Sequence, residues 1–130
     1  MTEITSVLFV CLGNICRSPM AEAVFQSVID KRNYSSNFRV DSAGTADYHV
    51  CKQDFYEFDY ILCMDESNLQ DLRSIQPANS KAVVKLFGKY DSEKDEIIRD
   101  PYYGGVDGFD YNFAQVTRCS HGFLKSLSIV

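Results

Sequence analysis

No stretch of this chain approaches the roughly 20 consecutive apolar residues that a membrane-spanning helix needs. The opening Met1-Thr2-Glu3 carries neither a basic leader nor a signal-like apolar segment. The cytoplasm is therefore the expected compartment, without membrane contact. Positive charge is scarce: 13 Lys and Arg against 18 Asp and Glu leave a net charge of −5 and a pI near 4.9. Nucleic-acid binders carry a basic surface, so nucleic acid is not an expected partner. Histidine is sparse, and His49 and His121 stand far from the one close cysteine pair, Cys11 and Cys16. No zinc-ligand spacing results, and no metal or other cofactor is expected. The five cysteines, at 11, 16, 51, 63 and 119, are odd in number and read as thiols rather than a disulfide framework. Internal repeats, low-complexity tracts and linkers are lacking too. The 130 residues, 45% of them hydrophobic, are expected to form one domain, 1–130.

What is present is an alternation of short apolar runs and helical patterns. Val7 to Val10 reads as a buried strand. Ser18 and Pro19 read as N-cap and first residue of a helix with apolar positions Ala21, Val24, Phe25, Val28 and Ile29, ended by the polar cluster 33–37. Phe38 to Asp41 predicts a second strand, closed by Ser42-Ala43-Gly44, and Tyr60 to Met64 a third. Asp65 or Ser67 can cap the next helix, whose apolar positions are Leu69, Leu72 and Ile75. Ala82 to Phe87 predicts a fourth strand, stopped by Gly88. A long polar stretch, Lys89 to Gly108, has the length of a functional loop. The last helix carries Phe109, Phe113, Val116, Ser120, Phe123 and Leu127 on one face, weakened at Gly122 by roughly 1 kcal/mol relative to alanine. The expected fold is α/β, a small doubly wound four-stranded parallel sheet with flanking helices and its ligand at the carboxyl ends of the strands.

One such end is Cys11-Leu12-Gly13-Asn14-Ile15-Cys16-Arg17-Ser18-Pro19. A strand, a tight loop and a helix N-terminus together gather backbone N–H groups around an anion. Cys11 opens the loop as a nucleophile and Arg17 closes it as a bidentate cation. Hydrolysing a phosphate monoester through cysteine needs an ionised thiol, a grip on the equatorial oxygens, and a proton for the leaving group. The loop amides of Leu12, Gly13, Asn14, Ile15 and Cys16, together with Arg17, can meet the first two needs. Ser18 can donate to the thiolate, Asn14 can pin the loop, and Ser42 is a candidate partner for Asn14. Asp100, stiffened by Pro101, is the candidate proton donor, with Tyr102 and Tyr103 as aromatic walls.

At this point the sequence resembles the low molecular weight protein tyrosine phosphatases, which carry C-x5-R-S in a phosphate loop and an Asp-Pro motif near the C-terminus. The match runs through Val7 to Ala23, then Val40 to Gly44, Asp59 to Asp65 and Asp100 to Tyr103. The resemblance implies a phosphocysteine at Cys11, a transition-state clamp at Arg17, and Asp100 as general acid and then base for water. It implies a redox role for Cys16 as reversible disulfide partner of the nucleophile. It makes Tyr48 an aromatic wall, and Tyr102 and Tyr103 rim residues open to phosphorylation. The implied activity is hydrolysis of phosphotyrosine and other aryl phosphates, of the acid phosphatase type. The implied partners are phosphotyrosine proteins or small aryl phosphates, and a monomer is expected.

Between Tyr48 and Asp54 the chain departs from this pattern, being shorter by roughly 25 residues, more than an ordinary connection. The family's missing segment holds part of the specificity rim and a histidine that braces the loop asparagine. Fifteen residues, Thr45 to Asp59, remain to join the second strand to the third, enough for a parallel crossover of about 10 to 12. Two further functions fit the same loop. One is a non-catalytic or weakly active phosphotyrosine binder, suggested by the deletion. The other is arsenate reduction, which needs additional cysteines as a relay. Among the remaining residues, Cys63 is expected to be buried and inert, Cys51 and Cys119 bystanders, and Asp41 and Asp65 element caps.

Overall fold

The computed structural model describes residues 4–13, 17–46, 50–99 and 106–128. Its centre is β1 (Thr5–Cys11), apolar almost throughout and buried from Ser6 onward. The other strands are β2 (Phe38–Gly44), β3 (Tyr60–Cys63) and β4 (Val83–Leu86), in the order β2-β1-β3-β4 with every pair parallel. Parallel strands covered on both faces read as continuous apolar runs, which is why β1 and β3 stood out in the sequence. The second strand runs three residues past Asp41, because Ser42, Ala43 and Gly44 pair with Phe9, Val10 and Cys11.

Period-two alternation along β1 divides the core into two layers. Val7, Phe9 and Cys11 pack with α1 (Arg17–Lys31) and α4 (Val106–Ser126). Leu8 and Val10 pack on the other side with α3 (Glu66–Ile75) and a single turn, α2 (Asp54–Glu57). Five phenylalanines bind the first layer: Phe9 meets Phe87 edge-on at 4.9 Å and Phe25 at 5.7 Å, and Phe25 meets Phe38 and Phe123 at 5.3 and 5.7 Å. Such aromatic pairs add about 0.5–1.5 kcal/mol each beyond area burial.

In the short crossover between β2 and β3, the described residues 50–59 cover one face of the sheet. Val50, Phe55 and Phe58 are all buried against Leu8, Val10 and Ile61. Its end is tied to β1, where the Asp59 carboxylate accepts from the Ser6 amide at 2.9 Å and the Ser6 hydroxyl at 3.1 Å.

Helix ends follow local chemistry. α1 stops in a Schellman arrangement: Asn33 takes φ 63°, the Tyr34 amide donates to the Ile29 carbonyl, and the Asn33 amide to Asp30. Asp65, rather than Ser67, caps α3, its Oδ1 accepting from the Asn68 amide while the Asn68 side chain accepts from the Asp65 amide. Three expectations change. Ser18 is not an N-cap, since α1 already includes Arg17 and Ser18 points into the protein. Ile75, in the last turn of α3, is left exposed. α4 begins before Phe109 and is rotated, so that Phe109 and Phe113 are 44% and 59% exposed while the polar Asn112 and Gln115 face inward. Among the described residues no helix is long and apolar enough to cross a membrane.

Candidate active site

The chain leaves β1 on one side to reach β2 and returns to the other side for β3, so the carboxyl end of β1 is a topological switch point. Cys11 sits there as the last residue of the strand, buried, with its Sγ 2.9 Å from the Ser18 Oγ on the first turn of α1. The segment leaving β1 is stitched to β2: the Thr45 amide donates to the Cys11 carbonyl at 3.0 Å and the Ala46 amide to the Leu12 carbonyl at 2.8 Å. Leu12 itself is exposed at the mouth, and Gly13 follows it. Asn14, Ile15 and Cys16 lie outside the described residues, as do Tyr48, Asp100, Tyr102 and Tyr103.

Arg17 is 8% exposed, a degree of burial that a guanidinium tolerates only with partners. Its Nη1 donates to Asp65 Oδ2 at 2.6 Å and to the Ile98 carbonyl at 3.2 Å. Both bonds engage one nitrogen, so among the described residues the Nε–Nη2 edge is the part of the fork left to grip an anion bidentately. Asp65 thus has a second role beyond capping α3: one oxygen holds the helix, the other the arginine. The signal available in sequence was its place directly after an apolar strand, at the end of the sheet where ligands bind. The Ile98 carbonyl carried no such signal.

Ser42 has a described partner on α1. Its hydroxyl donates to Glu22 Oε1 on α1 at 2.7 Å, and Asn14, its predicted partner, is outside the described residues. The remaining cysteines divide by environment. Burial, reinforced by the Asp65 charge, pushes the Cys63 thiol up to about 12. Burial, reinforced by Asp91, does the same at Cys119, also to about 12. Both stay protonated at neutral pH and are poor nucleophiles. Cys51 is exposed. Among the described residues no group of three or more His, Cys, Asp or Glu side chains is placed to hold a metal ion.

A buried thiol ending the central strand of a parallel sheet, a serine hydroxyl beside it, and a paired arginine opening the next helix define a class: α/β proteins with a thiol-based anion site. The comparisons narrow it. The family model described as low molecular weight phosphotyrosine protein phosphatase matches residues 6–53 and 46–129. The low molecular weight phosphotyrosine protein phosphatase of Rattus norvegicus is 47% identical over 148 residues, covering 92% of this chain and 94% of that protein. That of Saccharomyces cerevisiae is 45% identical over 150 residues, covering 92% and 93%. The crystal structure of a protein tyrosine phosphatase from Entamoeba histolytica, with Hepes in the active site, superposes with a TM-score of 0.89 at 32% identity, covering 95% and 97%. The chain belongs to the low molecular weight phosphotyrosine protein phosphatase family, and so is a hydrolase, a cysteine-based phosphatase. The 148 positions aligned to the rat protein exceed the 130 residues of this chain, so that relative has residues this one lacks. The two stretches of the family match meet at 46–53, where the sequence departs from the pattern.

Proposed function

We propose that this protein hydrolyses phosphotyrosine and other aryl phosphate monoesters through a phosphocysteine at Cys11. The observation that carries the reading is the alignment of Cys11 Sγ with Ser18 Oγ at 2.9 Å, beside an arginine fixed by Asp65. In the first step the Cys11 thiolate attacks phosphorus, the bond from phosphorus to the aryl oxygen breaks, and Asp100 gives its proton to that oxygen. In the second, water attacks phosphorus, its proton passes to Asp100, and the S–P bond breaks to release phosphate and the thiolate. Leu12 through Cys16 supply backbone donors to the equatorial oxygens, and the Arg17 fork follows them into the transition state. Ser18 stabilises the thiolate as a leaving group in the second step. Tyr48, Tyr102 and Tyr103 form the walls against the aromatic ring. Cys16 guards the nucleophile against over-oxidation by pairing with it reversibly.

Turnover of an aryl phosphate by the wild type and by Cys11→Ser tests this directly. The variant is expected to lose turnover entirely while retaining affinity for inorganic phosphate, because the amides and Arg17 remain. Turnover that persists in Cys11→Ser would overturn the assignment. An inactive wild type that still binds phosphate would make the protein a phosphotyrosine binder.

A further inference from the structure

The segment from Asp95 to Arg99, which runs directly into Asp100, is gripped from two sides. On one side Gln115 Nε2 donates to the carbonyls of Asp95 at 2.9 Å and Ile97 at 2.8 Å, and Asn112 Nδ2 donates to the Arg99 carbonyl at 2.7 Å. On the other side the Ile98 amide donates to the Met64 carbonyl at 2.8 Å, and the Ile98 carbonyl accepts from Arg17 Nη1 at 3.2 Å. Extended chain aims the N–H and C=O of successive residues to opposite sides. Residues 95, 97 and 99 thus turn their carbonyls to α4, and Ile98 turns both its groups to the end of β3 and the arginine.

The rotation of α4 belongs to the same arrangement. Gln115 and Asn112 are 0% and 3% exposed, while Phe109 and Phe113 on the same helix stand in solvent. Burying apolar area alone would favour the opposite rotation, at roughly 1.5–3 kcal/mol for each large side chain fully covered. Buried amides are retained where their hydrogen bonds are used, and here all the donated bonds go to one short stretch of backbone.

We propose that Asn112 and Gln115 are positioning residues for the reaction. They fix the register of residues 95–99, so that the Ile98 carbonyl orients Arg17 and the backbone leading into Asp100 is held as far as Arg99. The proposal rests on the roles assigned above to Arg17 and Asp100. One brace then serves both the anion clamp and the proton donor, and loosening it misplaces both.

The test compares the wild type with Asn112→Leu, Asn112→Ala and Gln115→Leu, which remove the donors, and with Asp100→Ala. For each, kcat is measured on an aryl phosphate with an activated leaving group and on one with a basic leaving group, together with inhibition by inorganic phosphate. The ratio of the two kcat values within one preparation does not depend on how much of the protein is folded. Proton donation matters only when the leaving group is basic. Removing the Asn112 or Gln115 donors should therefore lower kcat about tenfold more on the basic leaving group than on the activated one, and weaken phosphate inhibition several-fold. Asp100→Ala should change the ratio further while leaving phosphate inhibition close to wild type. An unchanged ratio and unchanged phosphate inhibition in the Asn112 and Gln115 variants, with a large ratio change in Asp100→Ala, would overturn the proposal and leave the mechanism standing. An unchanged ratio in Asp100→Ala would show that the acid is assigned wrongly, and the proposal would fall with it.

Discussion

Asp65 divides its two oxygens between two tasks, and the division makes it separable by mutation. Oδ1 accepts from the Asn68 amide at 2.9 Å and holds the start of α3, while Oδ2 holds Arg17 at 2.6 Å. Asparagine caps helices as well as aspartate but carries no charge. Asp65→Asn should therefore keep α3 intact, leave the guanidinium less firmly oriented, and lower aryl phosphate turnover roughly 10- to 100-fold. Asp65→Ala should add a loss of about 1 kcal/mol from the missing cap. Steady-state kinetics beside thermal melts would separate the two effects, and wild-type turnover in Asp65→Asn would reduce the residue to a cap. At the same scale, the cysteines show why residue type alone does not identify a nucleophile. Cys63 and Cys119 are as buried as Cys11, but burial together with the neighbouring Asp65 and Asp91 carboxylates pushes both thiols up to about 12.

Among the elements, α4 departs furthest from its sequence pattern. The spacing of Phe109, Phe113, Val116, Ser120 and Phe123 predicts one apolar face, and only its C-terminal half behaves so: Val116, Cys119, Phe123 and Leu124 are buried. The N-terminal half turns its amides to the backbone of residues 95–99 instead. Gly122 also changes meaning. Helix propensity makes it a local weakness that alanine would cure by about 1 kcal/mol. In the fold, a Cβ at this position would stand 1.9 Å from the Tyr90 carbonyl oxygen, so the glycine is what lets α4 lie against the 3-10 turn Phe87–Tyr90. Gly122→Ala is accordingly expected to destabilise the protein by about 1–3 kcal/mol, as overpacking does. Chemical denaturation would show it, and a raised midpoint would mean that α4 can withdraw from Tyr90 at little cost.

For the molecule as a whole, the described residues of the shortened crossover pack Val50, Phe55 and Phe58 onto one face of the sheet, and a second device ties α4 to the chain that leaves β4. Asp91, just after the turn that follows β4, receives Arg118 of α4 through two bonds, 2.7 and 3.0 Å. Those bonds hold the Asp91 carboxyl below its ordinary 3.8, although burial opposes them. A carboxyl lowered by folding stabilises the protein above its unfolded pKa, and that contribution disappears as the pH falls through the folded value. Asp91→Asn should thus be less stable than wild type by about 3 kcal/mol at pH 7, as expected for breaking a buried pair. The gap should narrow as the pH drops below 3.8. Urea unfolding of both proteins at neutral and acidic pH would measure it, and a gap independent of pH would remove Asp91 from the acid response.

Much of the fold and the centre of the site could be read from the chain in order. Continuous apolar runs mark β1 and β3, because strands buried on both faces have no polar side to show. The spacing of Cys11, Arg17 and Ser18 marks an anion loop, because all three act within one turn of chain. Local chemistry alone could do this, since strand, loop and cap depend on residues close in sequence. Tertiary structure decided which distant groups complete the site. Asp65 meets Arg17 across 48 positions and Ile98 meets it across 81; Ser42 turns to Glu22; and α4 rotates its amides inward at the expense of two phenylalanines. Each of these is a choice among partners that no local pattern ranks, made when the sheet brings the carboxyl ends of its strands together around Cys11.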